Sequence, residues 1–487
     1  MLRVVGELAK ELNEGRIRYC HWKSNWALGE SIRGDGDLDL LVHREDSGRF
    51  REILESLGFR PVVDAANPPF PAVEHFHAMD PDSSAIAHVH AYYRVVTGQS
   101  LVKNYRLPIE AMLLENTRED ESSLRVPIKG AELVVFTVRM SVKHASPFEL
   151  VLLRRQWKRI QAEVAWLLDE SALDCALELL PKWLPQLDRV TFERAVRALE
   201  RPAPLGTRIA MGHRVRRRLR PFARYGAIRA MTTEIRKFFN LFSHRLRGSK
   251  KGLTPIAGGA VIAFVGPEAS GKSTLADKIR TWLRGHYTVE RIHAGKPPGT
   301  LLTALPNLMV PLMRRLAPSV RSTTVEARIA SSEKPPAVST LFALRSVSLA
   351  WDRRALLLKA HANAARGRIV LSDRYPSRPG AIDGPQLARI LGSPHHSAWL
   401  RWLARLESRL YTDIPRPDLV IYLSAPLDTT LARNLARDKT EEDTYVRKRH
   451  ARAADFEFDH TTVHRINTDR PLDDTTREVK LAVWRML

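Results

Sequence analysis

A stretch of nine residues in the middle of the chain has the residue types and spacing needed to hold a chain of phosphates. Residues 266–274 read Gly-Pro-Glu-Ala-Ser-Gly-Lys-Ser-Thr, and the first eight match the pattern GxxxxGK[ST]. The glycines would let backbone N–H groups surround a phosphate, Lys272 would reach the outer phosphates of ATP, and the Ser273 hydroxyl would ligate Mg²⁺. The residues predicted to bind ATP are Gly266, Pro267, Glu268, Ala269, Ser270, Gly271, Lys272, Ser273 and Thr274.

Charged residues follow two later strand-like runs. Asp373 and Arg374 end the run IVLSDRY, and ligands bind at the carboxyl ends of strands in open α/β sheets. Asp373 could hold Mg²⁺ or accept a proton, and Arg374 could bind a phosphate. Arg433 and Arg437 follow the run VIYLS at near-helical spacing, which predicts a catalytic lid that closes positive charge over a phosphoryl group. A solvated basic helix face is the alternative.

Two aspartates near the N terminus form a second candidate site. Asp37 and Asp39 alternate along DLDLLV, so a strand would place both carboxylates on one face. His88 and His90 share a face of a later strand-like run in the same way. We therefore treat Asp37, Asp39 and His90 as candidate metal ligands, and binding of a phosphate to this face is the alternative. A turn at the strand entrance and a solvated histidine face are the structural alternatives.

The elements that would position these residues can be read from the apolar spacing. Residues 1–115 alternate short strand-like and helical runs, as in an α+β domain, and 116–205 are mostly helix-periodic, as in a helical domain. Residues 206–257 form a basic amphipathic connector. Residues 258–487 begin with the strand-like run AVIAFV and predict an α/β domain, a parallel sheet with flanking helices.

Composition limits the class of protein. A chain of 487 residues needs more than one hydrophobic core, and a net charge of +23 predicts anionic partners. The sequence has no run of eighteen uncharged apolar residues, and its two cysteines, Cys20 and Cys175, have no metal-site spacing. We expect a cytoplasmic protein, with peripheral attachment to a membrane as the alternative.

The basic residues are concentrated between Arg208 and Lys251, where Glu234 is the single acid. Aromatic residues such as Phe238 and Phe239 are interleaved with them. This pattern predicts binding to an anionic membrane surface or to nucleic acid, or else linker helices packed on their own domains. The oligomeric state is not predicted.

The order of motifs in residues 260–487 resembles thymidylate kinase and related nucleoside monophosphate kinases. The resemblance rests on GPEASGKST, SDRY, PDLVIYLSAPLDTTLARNLARD and RINTDRP. It implies a P-loop fold and transfer of the ATP γ-phosphate to a nucleoside monophosphate such as dTMP. Arg353 and Arg374 match positions that bind the acceptor phosphate in that family. The acceptor loop, Arg-Glu-Pro-Gly-Gly-Thr in that family, reads His-Ala-Gly-Lys-Pro-Pro-Gly-Thr at 293–300 and retains a cation at Lys296, a predicted substrate-binding residue.

The N-terminal residues resemble the nucleotidyltransferase fold, whose signature is a Gly-Ser turn followed by an Asp-x-Asp strand. Here Lys23-Ser24 stands in place of Gly-Ser, and histidines stand where a third carboxylate is expected. Three functions therefore remain open. The chain is a nucleoside monophosphate kinase fused to a transferase-like domain, a P-loop kinase for a sugar or other non-nucleotide acceptor in a polysaccharide pathway, or a nucleotide-binding regulatory protein without turnover.

Overall fold

The computed structural model describes most of the chain in two compact units. The described residues are 1–64, 70–200, 203–246, 252–300, 340–377, 383–391, 396–436, 441–453, 458 and 461–487. The units are Met1–Lys250 and Lys251–Leu487. The first unit therefore contains the predicted ranges 1–115 and 116–205 together with most of the basic connector.

The first unit contains nine strands and ten α-helices among its described residues. The strands are β1 (Tyr19–His21), β2 (Asp37–Val42), β3 (Arg60–Val63), β4 (Val73–Met79), β5 (Ile86–Tyr92), β6 (Val95–Thr97), β7 (Tyr105–Leu107), β8 (Thr117–Glu119) and β9 (Arg125–Pro127). The helices are α1 (Arg3–Glu14), α2 (Leu28–Ser31), α3 (Ser47–Ser56), α4 (Glu110–Glu115), α5 (Lys129–His144), α6 (Pro147–Leu167), α7 (Glu170–Trp183), α8 (Arg189–Glu200), α9 (Leu205–Arg218) and α10 (Ala227–Leu246).

Five strands of this unit form a mixed sheet in the order β1-β2-β5-β4-β3. β2 and β5 are parallel, and the other neighbouring pairs are antiparallel. Side chains alternate along β2, so Leu38 and Leu40 pack in one cluster with α1 and α3, whereas Leu41 packs in the cluster that contains α5. Asp37 and Asp39 share the sheet face of Leu41.

Helix α5 is the centre of the helical part of this unit because it is buried along nearly its whole length. Helices α6, α7, α8 and α9 pack against it. At Gly212 of α9, an added Cβ would lie 2.6 Å from the Ser141 carbonyl oxygen of α5, so this close approach requires glycine. The predicted helical character of 116–205 begins at Lys129, because residues 117–127 form the antiparallel hairpin of β8 and β9.

The second unit is built on a parallel sheet. Its strands are β10 (Thr254–Pro255), β11 (Ala260–Val265), β12 (Val289–His293), β13 (Ile369–Asp373), β14 (Leu419–Ser424) and β15 (Thr462–Asn467). Its described α-helices are α11 (Lys272–Leu283), α12 (Thr340–Ala364), α13 (Ala398–Thr412), α14 (Leu427–Leu435), α15 (Asp443–Ala453) and α16 (Leu472–Met486).

The last five strands are ordered β12-β13-β11-β14-β15, and every neighbouring pair is parallel. β11 is central and wholly buried, which explains its continuous apolar run AVIAFV. Helix α11 buries Leu275, Ala276 and Ile279 at helical spacing against this core and also packs on α16. The α/β class and the parallel sheet predicted for 258–487 are thus confirmed. No described helix is long and apolar enough to cross a membrane.

Candidate functional site

The loop between β11 and α11 has a backbone conformation that its glycines make possible. Gly266, Ala269 and Gly271 have φ angles of 141°, 57° and 87°. An added Cβ at Gly266 would lie 2.1 Å from the Leu423 carbonyl oxygen of β14, so no larger residue fits there. The loop therefore folds tightly at the carboxyl end of the central strand and leads directly into the N terminus of α11, a favourable place for an anion.

Lys272 is enclosed by this loop. Its Nζ donates to the carbonyl oxygens of Gly266 at 3.2 Å and Pro267 at 2.5 Å, and the residue is buried. Burial lowers the pKa of Lys272 to about 8, although the nearby Glu268 carboxylate opposes the shift. The loop therefore holds a desolvated cation beside the helix N terminus.

Ser273 and Asp373 meet at the ends of neighbouring strands. The Ser273 hydroxyl donates to Asp373 Oδ2 at 2.6 Å, because β13 lies beside β11 with Asp373 in register with Phe264. Arg291 of β12 also reaches the same carboxylate oxygen at 3.0 Å. The structure thus brings together the two predicted Mg²⁺ ligands, and Arg291 is a partner that the sequence analysis missed.

A network of two carboxylates and two guanidinium groups lies beside the loop. Arg374 contacts Glu268 at 2.5 Å and Asp383 at 3.1 Å, and Arg449 contacts the same two acids at 3.1 and 3.3 Å. Burial would raise the pKa of Glu268, but Lys272, Arg374 and Arg449 lower it to about 2.

The pKa of Asp383 is likewise lowered, because Arg449 and Arg374 outweigh burial. Sequence reasoning missed both Asp383 and Arg449. Asp383 lies in a loop, and Arg449 lies in the basic stretch RKRHARA, where no apolar period singles out one arginine.

Of the other predicted acceptor and lid residues, Arg353 borders this network, because it donates to the Asp383 carbonyl at 2.8 Å. Arg353 is buried and donates to the Ala294 carbonyl at 2.8 Å and to the Tyr411 hydroxyl at 2.6 Å. Lys296 is exposed in the turn after β12. Arg433 donates to the side-chain hydroxyl of Thr468 at 3.0 Å and to the Thr468 carbonyl oxygen at 2.8 Å. Arg437, the other predicted lid residue, lies outside the described residues.

The N-terminal aspartates and histidines do share one sheet face. The β2–β5 register pairs Asp37 with His88 and Asp39 with His90. His88 Nδ1 lies 2.6 Å from Asp37 Oδ1, and His90 Nδ1 lies 3.1 Å from Asp39 Oδ1. The His75 ring of β4 stacks on His90 with centroids 4.1 Å apart. Across the described residues, no three His, Cys, Asp or Glu side chains form a group able to hold a metal ion, so the metal site at Asp37, Asp39 and His90 stays a prediction.

Two lysines, Lys23 and Lys103, lie on this face. Lys23 Nζ lies 2.7 Å from Asp39 Oδ1, and both Lys23 and Lys103 donate to the Tyr92 hydroxyl, at 3.2 and 3.3 Å. Burial lowers the pKa of Lys103 to about 7, with a further contribution from Lys23. Burial also lowers the pKa of His90 to about 4, so that ring is neutral near pH 7. On this face the Asp39 carboxylate is therefore paired with the Lys23 ammonium group, whereas a metal ligand would have its carboxylate available to the ion.

Part of the basic connector serves packing. Arg216 donates to the Ala145 carbonyl at 2.9 Å, Arg218 pairs with Asp188 at 3.0 Å, and the Arg208 guanidinium lies 4.1 Å from the Trp157 ring centroid. These contacts agree with the alternative that the connector forms helices packed on its own domain. Binding to a membrane surface or to nucleic acid stays a prediction for the remaining cations.

The second unit thus has a five-stranded parallel sheet with a glycine-rich loop, a buried lysine and a serine–aspartate pair at its carboxyl edge, an arrangement of the nucleotide-binding α/β class. No family model matches the chain. The chain is 32% identical over 182 residues to the uncharacterized ATP-binding protein YghS of Escherichia coli (strain K12). The aligned region covers 36% of this chain and 72% of YghS. The chain is 31% identical over 189 residues to the uncharacterized ATP-binding protein YghR of the same strain, covering 37% of this chain and 71% of YghR. The chain belongs to the family of YghS and YghR.

Proposed function

We propose that the second unit is a P-loop, ATP-dependent phosphotransferase that resembles thymidylate kinase. The observation that carries this proposal is the loop from Gly266 to Thr274, in which buried Lys272 lies at the start of α11. The names of YghS and YghR as ATP-binding proteins support ATP as the bound nucleotide. Binding would place the outer phosphates against the α11 N terminus, and Lys272 would exchange its loop carbonyl partners for phosphate oxygens.

The chemistry of two residues suits Mg²⁺, which favours oxygen ligands. Ser273 Oγ and Asp373 Oδ2, only 2.6 Å apart, are the groups that would hold the ion directly or through water. When bound, the ion would neutralise charge on the phosphates. Arg291, which contacts Asp373 at 3.0 Å, keeps that carboxylate oriented toward the loop.

The two arginines of the network would act on the transferred group. Arg374 and Arg449 are both held by Glu268 and Asp383, so their guanidinium groups are fixed beside the loop before any ligand binds. Fixed cations stabilise the charge that develops on a phosphoryl group without the cost of reorientation. We assign the predicted phosphate-binding role to Arg374 and propose Arg449 as its partner. The predicted catalytic roles of Arg433 and Arg437 remain proposals.

For the acceptor, a nucleoside monophosphate such as dTMP is the first proposal because of the resemblance. The second is a sugar or other non-nucleotide compound. The contacts of Arg353 give this second proposal weight: its guanidinium donates to Ala294, Asp383 and Tyr411, so part of its capacity to bind an acceptor phosphate is already used. The altered acceptor loop at 293–300, with Lys296 exposed, points the same way.

The test is ADP release from Mg-ATP by the full chain against a panel of nucleoside monophosphates and sugars. Lys272→Ala should abolish any acceptor-stimulated release. The control Lys278→Ala removes a partly exposed lysine of the same helix, which pairs with Asp473 at 3.4 Å, and should leave the rate unchanged. Stimulation by dTMP supports the first acceptor, and stimulation by a sugar alone supports the second. ATP binding without stimulation by any acceptor would favour a regulatory protein.

The first unit is proposed to be a nucleotidyltransferase-like domain whose own turnover is open. Lys23 neutralises Asp39 at 2.7 Å, which lowers the negative charge available for metal ions at that position. A cytoplasmic location also remains a proposal.

A further inference from the structure

A concave pocket lined by residues of the first unit lies beside the aspartate–histidine face. It has a volume of about 530 Å³, within the range of small-molecule sites. Its described lining combines aromatic, apolar and basic side chains, and the basic ones are Arg224, Arg229, Arg236 and Lys237.

The pocket is formed largely by one face of α10. Arg229, Thr233, Arg236 and Lys237 follow one another at spacings of four, three and one residues, so they line the same side of the helix. Glu234, the single acid of the basic connector, points elsewhere: it is buried and accepts a hydrogen bond from the Ser146 hydroxyl at 2.7 Å. The helix therefore presents cations to the pocket and turns its acid into the core.

The side of the pocket formed by residues 224–225 is held in place by Asn104. The Asn104 side chain accepts a hydrogen bond from the Tyr225 N–H at 2.9 Å and donates one to the Tyr225 carbonyl at 3.1 Å. The backbone carbonyl of Asn104 accepts from the Arg224 N–H at 2.7 Å. The guanidinium groups of Arg224 and Arg229 lie 5.4 and 4.9 Å from the Tyr225 ring centroid. These contacts fix both cations before binding, which reduces the entropy lost when a ligand is captured.

The charge of the pocket is poorly compensated. Among the described residues, none of the four cations forms an ion pair with a carboxylate. Burial lowers the pKa of Lys237, and Asp64 only partly offsets that effect. Four neighbouring cations favour an anionic ligand with several charges, and guanidinium groups match phosphate oxygens especially well.

The pocket also borders the aspartate–histidine face. The ammonium groups of Lys237 and Lys103 each lie 4.7 Å from the centroid of the Phe70 ring, which lines the pocket. Lys103 in turn donates to the Tyr92 hydroxyl, which Lys23 also contacts. A ligand seated on α10 would therefore lie next to the charged groups around Asp39.

We propose that this pocket binds a small molecule that carries two or more phosphate groups, with Arg224, Arg229, Arg236 and Lys237 as its phosphate contacts. A concave pocket of about 530 Å³ fits a compact ligand better than a flat bilayer or an extended nucleic-acid backbone. The site is separate from the nucleotide site proposed for the second unit, so either can fail without the other.

The test uses tripolyphosphate as the probe, without Mg²⁺, and isothermal titration calorimetry of the full chain with Lys272→Ala to weaken the loop of the second unit. We expect saturable binding of one tripolyphosphate per chain. Adding Arg229→Gln and Arg236→Gln should raise its Kd at least tenfold. The matched control, Arg194→Gln with Arg197→Gln, removes the same charge from two exposed positions of α8 and should change Kd less than twofold.

Two further titrations distinguish a small polyphosphate ligand from inorganic phosphate and from a lipid headgroup. Inorganic phosphate should bind more weakly than tripolyphosphate, because it engages fewer cations. Vesicles of phosphatidylglycerol and phosphatidylcholine should not compete with tripolyphosphate for the pocket. The proposal is overturned if tripolyphosphate does not bind, if the α8 control weakens binding as much as the pocket variant, or if the pocket cations affect vesicle binding alone. Circular dichroism should show equal helix content in all variants, since the four substituted arginines are exposed.

Discussion

The substitution Asp383→Asn tests the charge network beside the glycine-rich loop. Asp383 is contacted by Arg374 at 3.1 Å and by Arg449 at 3.3 Å, and its side chain is only 16% exposed. Asparagine keeps the shape and one acceptor oxygen but removes the charge between two guanidinium groups. Loss of one partner from a buried ion pair costs about 3–5 kcal/mol, and because asparagine retains an acceptor, the expected loss is about 3 kcal/mol.

The measurement is hydrogen exchange by mass spectrometry on the full chain, read in peptides that cover β11, because exchange from a central strand reports the opening of its unit. The control is Asp413→Asn, whose carboxylate is 58% exposed and pairs with Arg354 at 3.5 Å. An exposed pair of this kind contributes about 0–1 kcal/mol. If Asp383→Asn changes the opening free energy of β11 no more than this control does, the buried network does not contribute the expected stability to the second unit.

Three further changes test other features. Gly266→Ala should abolish ATP binding in a fluorescent-nucleotide titration, because its Cβ would meet a carbonyl oxygen at 2.1 Å, whereas Gly285→Ala, with open space around it, should bind normally. Ser273→Ala should raise the Mg²⁺ concentration needed for half-maximal ADP release. The same Mg²⁺ dependence in the wild type and the variant would contradict the assignment of Ser273 as a Mg²⁺ ligand. Burial raises the pKa of Glu132 to about 7, although hydrogen bonds from Asn25 oppose the shift. The folded pKa then exceeds the unfolded value, so this carboxyl group contributes stability fully below about pH 4.5 and loses it as pH rises through 7. Urea unfolding should therefore show the stability of the wild type relative to Glu132→Gln falling by about 3 kcal/mol over that window.

The sequence predicted the local parts of the second unit well. The apolar run AVIAFV, the glycine spacing and the amphipathic segment after Lys272 correspond to β11, the loop and α11. The approach of Asp373 to Ser273 was also predictable, because both follow strands of a parallel sheet and such strands end at one edge.

Contacts between distant segments were not predictable in the same way. Asp383 and Arg449 are brought together by the fold of the second unit, and neither lies in a periodic apolar pattern that would mark it. In the first unit, the alternation of DLDLLV predicted a shared face for Asp37 and Asp39. It could not predict that Lys23 would neutralise Asp39, because that contact depends on how the chain between β1 and β2 turns.

The central claim is that the loop from Gly266 to Thr274 binds ATP through Lys272. Isothermal titration calorimetry with Mg-ATP tests it most directly, using the full chain with Arg229→Gln and Arg236→Gln so that the α10 pocket does not contribute. One ATP should bind per chain, and adding Lys272→Ala should weaken binding about tenfold to a hundredfold, because a hydrogen bond to a charged group contributes about 1.5–3 kcal/mol. Adding Lys278→Ala instead should leave the affinity unchanged. Equal ATP affinity with and without Lys272→Ala would contradict the account.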